Sequence, residues 1–309
     1  MRTKTWVADT ALLGIAFVWG ATFVLVQNAI ETMPPFSFLA LRFGLAATML
    51  WILLRINGQA WKIREPRYRK TGGYLGIWLF VGYALQTFSL LYTTSGKSGF
   101  LTGVAVVLVP VFSLWILGTK PGWNAITGAL FALAGLWNLA FADFSSLNRG
   151  DLLAFLCAIG FGLQIVYTAK YASWADALPL VTVQVGTVAF LNGVFALLFE
   201  PWYSWFNLSL FARTEVIAAL LITSLFATVL AYTGQTHFQR YTTPTRVALI
   251  FAMEPVFAAW TDWWWLETSM NGKTLAGCLL ILCGMVFAEI RFRRLRKPVQ
   301  KEGTSCAEK

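Results

Sequence analysis

The sequence predicts an all-α integral membrane protein of ten transmembrane helices, arranged as two inverted five-helix repeats. Three observations support this prediction. Of the 309 residues, 58% are hydrophobic and only 12% are charged, whereas soluble domains average about 25% charged residues. Apolar stretches long enough to cross a hydrocarbon core, which takes roughly 20 helical residues, follow one another with short connections. A motif rich in tyrosine and threonine occurs twice, 149 residues apart.

The apolar stretches account for nearly the whole chain, so no soluble domain of any size is expected. The first stretch follows Arg2 and Lys4 and resembles a signal peptide. It is about 21 residues long and lacks a small-residue cleavage site, so we expect a retained helix. The predicted spans are residues 10–30, 35–55, 71–92, 98–118, 124–142, 151–171, 179–200, 216–237, 244–265 and 273–291.

The basic residues indicate which ends of the spans face the cytoplasm. With a cytoplasmic N-terminus, most of the 24 Lys and Arg residues lie on one side, in two main groups at residues 55–70 and 291–309. Cytoplasmic loops of membrane proteins carry such an excess of positive charge. We therefore expect a multi-pass protein of the plasma (inner) membrane with both termini cytoplasmic, residues 294–309 forming a basic tail.

The repeated motif lies in two predicted spans. Residues 83–94 (YALQTFSLLYTT) match residues 232–243 (YTGQTHFQRYTT), and Lys97 corresponds to Arg246 at the same interval of 149 residues. Two pairs of glycines also correspond at this interval: Gly128 with Gly277, and Gly135 with Gly284.

Five predicted spans separate the two copies of the motif. Because five is an odd number, the second copy must lie inverted in the bilayer, which is the inverted-topology repeat found in many carriers. We expect residues 1–145 to form the first repeat and residues 146–293 to form the second.

A proline in each predicted repeat marks a less regular correspondence. Val109-Pro110-Val111-Phe112 resembles Glu254-Pro255-Val256-Phe257, but the first proline comes about one helical turn later than the 149-residue interval predicts. Proline inside a helix frees a carbonyl and bends the axis, and paired interruptions in corresponding spans point to a transport site. Pro110 and Pro255 are therefore predicted helix breaks beside a central site, and packing kinks are the alternative.

A family resemblance depends on the order and spacing of several motifs along almost the whole chain. They are Trp19-Gly20, Arg42, the Tyr-Thr-Thr-Ser-Gly-Lys-Ser segment at residues 92–98, Glu254-Pro255-Val256-Phe257 and a glycine-rich last span. This pattern resembles the drug/metabolite transporter superfamily, and specifically its EamA-type exporters. The resemblance implies ten helices with cytoplasmic termini, a central cavity, and movement of amino acids, other metabolites or drugs.

Two charged residues are expected within the membrane. Glu254 falls near the middle of its predicted span, and an intramembrane carboxylate is costly unless it pairs, takes up a proton or binds cargo. We predict a substrate-binding or proton-coupling role, against the alternative of a carboxyl that only fixes helix packing. Arg42 lies deep in the second span, where it is expected either to contact an anionic substrate group or to form a structural ion pair with Glu254.

Uncharged side chains complete the predicted site. Gln86 and Gln235 occupy equivalent positions of the motif and are expected to line a wet cavity or to hydrogen-bond between helices. Trp19, Tyr83 and Tyr232 are candidates for an aromatic cavity wall, although packing or lipid contact is the alternative. Lys97 and Arg246 lie where equivalent spans begin, at opposite membrane faces, and are predicted gate residues.

Several function classes do not fit the sequence. Histidine occurs once, so a zinc motif with two histidines is excluded, and we expect no metal site, no cofactor, no enzymatic activity and no nucleic-acid partner. The chain contains no phosphate-binding glycine loop of an ATP-driven pump.

We therefore predict a secondary transporter that moves a small metabolite, namely an amino acid, a related compound or a drug, by alternating access. Efflux is the expected direction, the lipid bilayer the expected surroundings, and proton coupling and uniport both remain open. A channel, a receptor or an intramembrane enzyme is the alternative.

Overall fold

A computed structural model describes residues 2–140, 148–201, 213–265 and 272–289, and every regular element within these ranges is helical. The junction predicted between the repeats, at residues 145 and 146, and the predicted tail at residues 294–309 lie outside them. The helices are α1 (Arg2–Ile30), α2 (Pro35–Ile56), α3 (Pro66–Ser89), α4 (Ser95–Gly103), α5 (Ala105–Leu117), α6 (Trp123–Ala140), α7 (Arg149–Ala172), α8 (Ala177–Phe199), α9 (Thr214–Ser224), α10 (Ala231–Gln239), α11 (Pro244–Phe251), α12 (Glu254–Trp265) and α13 (Gly272–Glu289).

Six stretches of the described chain are helical, long and apolar enough to cross a membrane. The predicted all-α membrane fold is therefore confirmed in its class, whereas the count of ten spans stays a prediction. The remaining helices that were predicted to span, α3, α6, the α11–α12 pair and α13, fall short of the same length or apolarity. The six stretches are Thr5–Ile30, Pro35–Ile56, Lys97–Leu117, Arg149–Ala172, Ala177–Phe199 and Thr214–Gln239.

Three pairs of consecutive helices are joined by an irregular turn. The helical stretch of α4 and α5 is interrupted at Val104, and a π-helical segment, Leu225–Leu230, lies between α9 and α10. Between α11 and α12 the chain makes a tight turn in which the Met253 amide donates to the Ile250 carbonyl at 3.1 Å. Such irregular turns leave backbone groups that do not follow the α-helical pattern.

The two prolines predicted as helix breaks differ in position. Pro255 is the second residue of α12, where its missing N–H removes no helical hydrogen bond, so the interruption directly precedes it. Pro110 lies inside α5, and the interruption in that stretch comes earlier, at Val104. The helix break therefore follows the 149-residue interval, from Val104 to Met253, rather than the prolines.

Glycines bring α6 and α13 into backbone contact. A Cβ added at Gly128 would lie 2.6 Å from the Gly284 carbonyl oxygen, and one at Gly284 would lie 2.6 Å from that of Gly128. Gly135 and Gly277 make the same reciprocal contact, at 2.6 and 2.7 Å. Since Gly128 corresponds to Gly277 in the sequence and Gly135 to Gly284, each contact is the counterpart of the other, as two elements related by an approximate two-fold axis require.

The N-terminus of α2 is capped by the end of α8. The Glu200 carboxylate accepts hydrogen bonds from the backbone amides of Phe36 and Ser37, at 2.7 and 2.8 Å, and from the Ser37 hydroxyl at 2.6 Å. The first amides of a helix lack intrahelical acceptors, and a carboxylate there also complements the positive end of the helix dipole. Glu200 therefore joins α2 to α8 at one end of the molecule.

Candidate substrate cavity

A cavity lies between α1, α2, α3, α4, α7, α10 and the α11–α12 turn. It encloses about 920 Å³ of space not filled by protein atoms, its open mouth included. Eight of the predicted site residues line it: Trp19, Arg42, Tyr83, Gln86, Tyr232, Gln235, Glu254 and Pro255. Their proposed roles in binding remain predictions.

Two equivalent tyrosines meet at the cavity. The Tyr232 hydroxyl donates a hydrogen bond to the Tyr83 hydroxyl at 2.9 Å, and the two residues are 149 positions apart. Both side chains are buried, at 7% and 2% exposure for Tyr83 and Tyr232. The tyrosines of the two motif copies are thus direct neighbours in space.

Arg42 is held by neutral groups rather than by a carboxylate. Its Nε donates to Thr228 Oγ1 at 3.2 Å and its Nη2 donates to the Tyr83 hydroxyl at 3.4 Å. The guanidinium carbon lies 4.9 Å from the centroid of the Tyr83 ring, and 5.2 Å from that of Phe43, distances that fit cation–π contacts. The ion pairs among the described residues do not include Arg42 with Glu254. Within the described part of the chain, the guanidinium therefore lies in the cavity wall without a carboxylate at ion-pair distance.

The π-helical segment supplies the groups around Arg42. Thr228 Oγ1 donates to the Thr223 carbonyl, five residues earlier, at 2.9 Å. The Ser224 hydroxyl donates to the Arg42 carbonyl at 2.9 Å. A π-helical turn leaves a carbonyl available, and the Ala227 carbonyl accepts a hydrogen bond from the Trp19 indole N–H at 2.9 Å. One irregular turn therefore orients two predicted site residues, Trp19 and Arg42.

Glu254 begins α12 directly after the turn that interrupts the helix. A Cβ at Gly20 of α1 would clash with the Glu254 carbonyl oxygen, so only glycine permits this approach of α1. Among the described residues, no side chain forms a hydrogen bond or ion pair with the Glu254 carboxyl, which lines the cavity. The carboxyl is thus available to a bound molecule or a proton.

The two equivalent glutamines have different surroundings. Gln235 Nε2 donates to Gln164 Oε1 at 3.1 Å and to Gln239 Oε1 at 3.3 Å, forming a chain of buried amides. Gln86 Nε2 instead donates to Thr102 Oγ1 at 3.3 Å. Both glutamines therefore hydrogen-bond between helices and also line the cavity, whereas their role in binding stays a prediction.

Sequence reasoning did not single out several cavity residues as site residues. Phe161, Phe251, Thr22 and Thr102 also line the cavity, and Thr228 holds Arg42 from the π-helical segment. Apolar and threonine residues are common throughout membrane spans, so their type alone carries no signal. The helix rotation that directs them inward is visible only in the packed structure.

The predicted gate residues lie outside the cavity lining, and each forms an ion pair. Lys97 Nζ lies 3.7 Å from Asp151 Oδ2, at the start of α7, and both side chains are buried. Arg246 Nη2 lies 2.5 Å from Asp9 Oδ2 of α1. The preceding threonines at the two helix starts, Thr94 and Thr243, also accept equivalent capping bonds from the Lys97 and Arg246 amides.

Among the described residues, His, Cys, Asp and Glu form no group of three or more that could hold a metal ion. The cavity lining combines one guanidinium, one carboxyl, side-chain amides and aromatic rings.

Comparisons with known proteins agree over nearly the full chain. The profile of the EamA-like transporter family matches residues 6–141 and, a second time, residues 148–289. An uncharacterized transporter from Archaeoglobus fulgidus is 32% identical over 284 residues, or 92% of this chain and 86% of that protein. The uncharacterized inner membrane transporter YedA of Escherichia coli is 23% identical over 89% of this chain and 87% of its own length. A crystal structure at 19% identity superimposes with a TM-score of 0.75 over 91% of this chain and 96% of that chain, a likeness of fold alone.

Proposed function

Because this chain belongs to the EamA-like transporter family, we propose that it is a secondary transporter that moves a small metabolite across the plasma membrane by alternating access. A multi-pass membrane transporter follows from the family, and export is the direction we propose. The single observation that carries the choice of substrate is the cavity itself. Its wall holds one guanidinium and one carboxyl that do not pair with each other.

The two charges favour a zwitterionic substrate such as an amino acid or a related compound. Burying a charge without an opposite charge is costly, and the described contacts of the Arg42 guanidinium are with hydroxyl groups and aromatic rings. A carboxylate on the substrate would complete the environment of Arg42, and an ammonium group would complete that of Glu254. The aromatic rings of Trp19, Tyr83 and Tyr232 would contact the apolar part of the molecule.

Alternating access is supported by the duplicated parts. We propose that residues 1–145 and 146–293 are inverted five-helix repeats, because the family profile matches the chain twice. Equivalent tyrosines meet at the cavity, and equivalent glycines make reciprocal contacts between α6 and α13. Two inverted halves can exchange inward-open and outward-open shapes around a central site.

We also propose that Lys97 and Arg246 form gates at opposite ends of the cavity. Their partners lie on corresponding elements, because Asp9 is on α1 and Asp151 is on α7, the first helices of the two matched ranges. Each ion pair therefore joins the first helix of one half to the interrupted helix of the other half. Closing and opening such a pair would control access to one membrane face.

Flux into reconstituted vesicles tests the proposed function. We expect saturable uptake of one or more labelled amino acids, and competition by compounds that carry both an ammonium and a carboxylate group. Analogues that lack either group should compete much less, since they leave Arg42 or Glu254 without an opposite charge. Large single-channel currents would show a channel instead. Saturable flux of uncharged compounds alone would contradict the proposal of a zwitterionic substrate.

A further inference from the structure

A surface rich in cations and aromatic rings lies at one end of the helices, away from the cavity. Its centre is the connection between α2 and α3, where residues 55–70 contain six basic residues and one acidic residue, Glu65. The basic residues are Arg55, Lys62, Arg64, Arg67, Arg69 and Lys70, and all but Lys62 are exposed. This set, with the α7–α8 connection, is called the basic surface below.

Contacts with the α7–α8 connection give the basic surface a defined shape. Lys62 forms an ion pair with Asp176, and this hydrogen bond raises the pKa of the Lys62 ammonium above its ordinary value. The Arg67 guanidinium lies over the Trp174 ring, 3.6 Å from its centroid. The Asp176 amide donates to the Tyr68 hydroxyl at 3.1 Å. The loop is thus fixed to a part of the chain more than a hundred residues later.

A third connection reaches the same place. Arg240, at the end of α10, donates through Nη2 to the Ala175 carbonyl at 3.4 Å. The basic surface therefore combines the ends of α2, α7 and α10 with the starts of α3 and α8. Segments from both halves of the chain meet there.

Several of its charges form no ion pair within the described part of the chain. Arg64, Arg69 and Lys70 are exposed, and none of them appears in an ion pair among the described residues. Asp176 is already paired with Lys62. Trp61 is 59% exposed beside these cations. Because exposed indoles prefer the headgroup zone of a bilayer, Trp61 favours a position of this surface near the lipid phosphates.

We propose that the basic surface binds the headgroups of anionic phospholipids in the adjoining leaflet. Clusters of Lys and Arg beside a transmembrane helix attract anionic lipids because the charges lie within a Debye length of the membrane surface. A bound headgroup would bridge Arg64, Arg69 and Lys70, and it would stabilise three connections that are distant in sequence. This binding is independent of what the cavity transports.

Thermal unfolding of the full chain in lipid nanodiscs tests the proposal. The melting temperature is measured in phosphatidylcholine discs with and without added phosphatidylglycerol. We expect phosphatidylglycerol to raise the melting temperature of the wild type, and the double variant Arg69→Gln/Lys70→Gln to lose most of that rise. High salt should weaken the rise as well, because it screens exposed charges.

The matched control removes two exposed cations from the other end of the helices, in Arg149→Gln/Arg213→Gln. Arg149 begins α7 and Arg213 precedes α9, so both lie far from the basic surface. The control should respond to phosphatidylglycerol as the wild type does. An equal response of both double variants would overturn the proposal.

Two further arms remove ambiguity. Inorganic phosphate added to pure phosphatidylcholine discs should leave the melting temperature unchanged. A rise equal to that from phosphatidylglycerol would show that the surface binds free phosphate rather than a lipid, and it would overturn the proposal. If the double variant does not fold, the single variants Arg69→Gln and Lys70→Gln give the same comparison, and a wild-type response in both would overturn the proposal.

Discussion

The Tyr232 hydroxyl lies 2.9 Å from the Tyr83 hydroxyl, and 149 residues separate the two tyrosines along the chain. The same interval relates the two copies of the motif, so each tyrosine contacts the equivalent tyrosine of the other copy. Arg42 breaks this equivalence, because its Nη2 donates to Tyr83 and not to Tyr232. The Tyr83 hydroxyl therefore accepts two hydrogen bonds, whereas the Tyr232 hydroxyl donates one, and mutation can separate these contributions.

Replacing Tyr83 by Phe should cost more than replacing Tyr232 by Phe. Tyr83→Phe removes the acceptor for both Tyr232 and Arg42, and we expect a loss of about 1–3 kcal/mol in the free energy of unfolding. Tyr232→Phe removes one neutral hydrogen bond, worth about 1 kcal/mol. Thermal unfolding and the KM for substrate measure both effects. Equal losses in the two variants would show that the Arg42 contact contributes nothing.

Replacing Glu254 by Gln tests the proposed coupling and binding role. The amide keeps the shape of the side chain but can neither take up a proton nor balance an ammonium group. We expect kcat/KM for flux to fall roughly tenfold or more, a change of about 1.4 kcal/mol, together with the loss of any response to an imposed pH gradient. Glu215→Gln, on the exposed first turn of α9, is the matched control. Unchanged flux and unchanged pH response would remove Glu254 from both roles.

Crosslinking tests the proposed gates. With Cys157, Cys278, Cys283 and Cys306 replaced by Ser, an Asp9→Cys/Arg246→Cys variant should lose flux on oxidation and regain it on reduction, because a gate held shut stops the cycle. A Lys97→Cys/Asp151→Cys variant should behave in the same way.

A crosslink away from the cavity serves as the control for the gates. Lys62→Cys/Asp176→Cys joins another ion pair, and its oxidation should leave flux unchanged. If the oxidised Asp9→Cys/Arg246→Cys variant transports as fast as the same variant after chemical reduction, the pair joins helices that move together. The gate assignment is then wrong.

Replacing Glu200 by Gln should weaken the start of α2. The amide retains one acceptor oxygen and loses the charge that three hydrogen bonds share. We expect a loss of about 1–2 kcal/mol in stability, the size of a helix-cap deletion. Urea or thermal unfolding measures it, and the KM for substrate should not change, since Glu200 lies outside the cavity lining. If the Glu200→Gln variant melts at the wild-type temperature, then the lost hydrogen bonds to the carboxylate contribute no stability.

An alanine at Gly128 should separate α6 from α13. Its Cβ would lie 2.6 Å from a backbone oxygen, so the helices must move apart, at a cost of about 1–3 kcal/mol. Gly14→Ala is the control, because no atom lies within 4 Å of the added carbon and alanine favours a helix by about 0.5–1 kcal/mol. Similar melting temperatures for the two variants would contradict the tight contact.

The sequence predicted the membrane class, and it indicated eight residues that line the cavity, because both predictions depend on the order of residue types along the chain. Long apolar stretches predict spans, and a repeated motif predicts that Tyr83 and Tyr232 play related parts. Glu254 and Arg42 were recognised because charges are rare within apolar spans. These signals require no knowledge of how the helices turn.

The details that depend on helix rotation were not predictable. Nothing in the sequence indicates that Thr228 faces Arg42, because the π-helical turn that directs it has no residue signature. An ion pair between Arg42 and Glu254 was one of two interpretations, and the structure instead gives Arg42 hydroxyl and aromatic neighbours. Pro110 indicated a break that occurs earlier, at Val104, where no proline marks it.

The close approach of Gly20 to the Glu254 carbonyl fixes the main chain from which the carboxyl projects. Side chains that line the cavity, such as Phe161 and Thr102, belong to other helices and take no part in this main-chain contact. Under the proposed function, exchange of these wall residues during evolution would alter the size and polarity of the accepted cargo, while the main chain at Glu254 keeps its position.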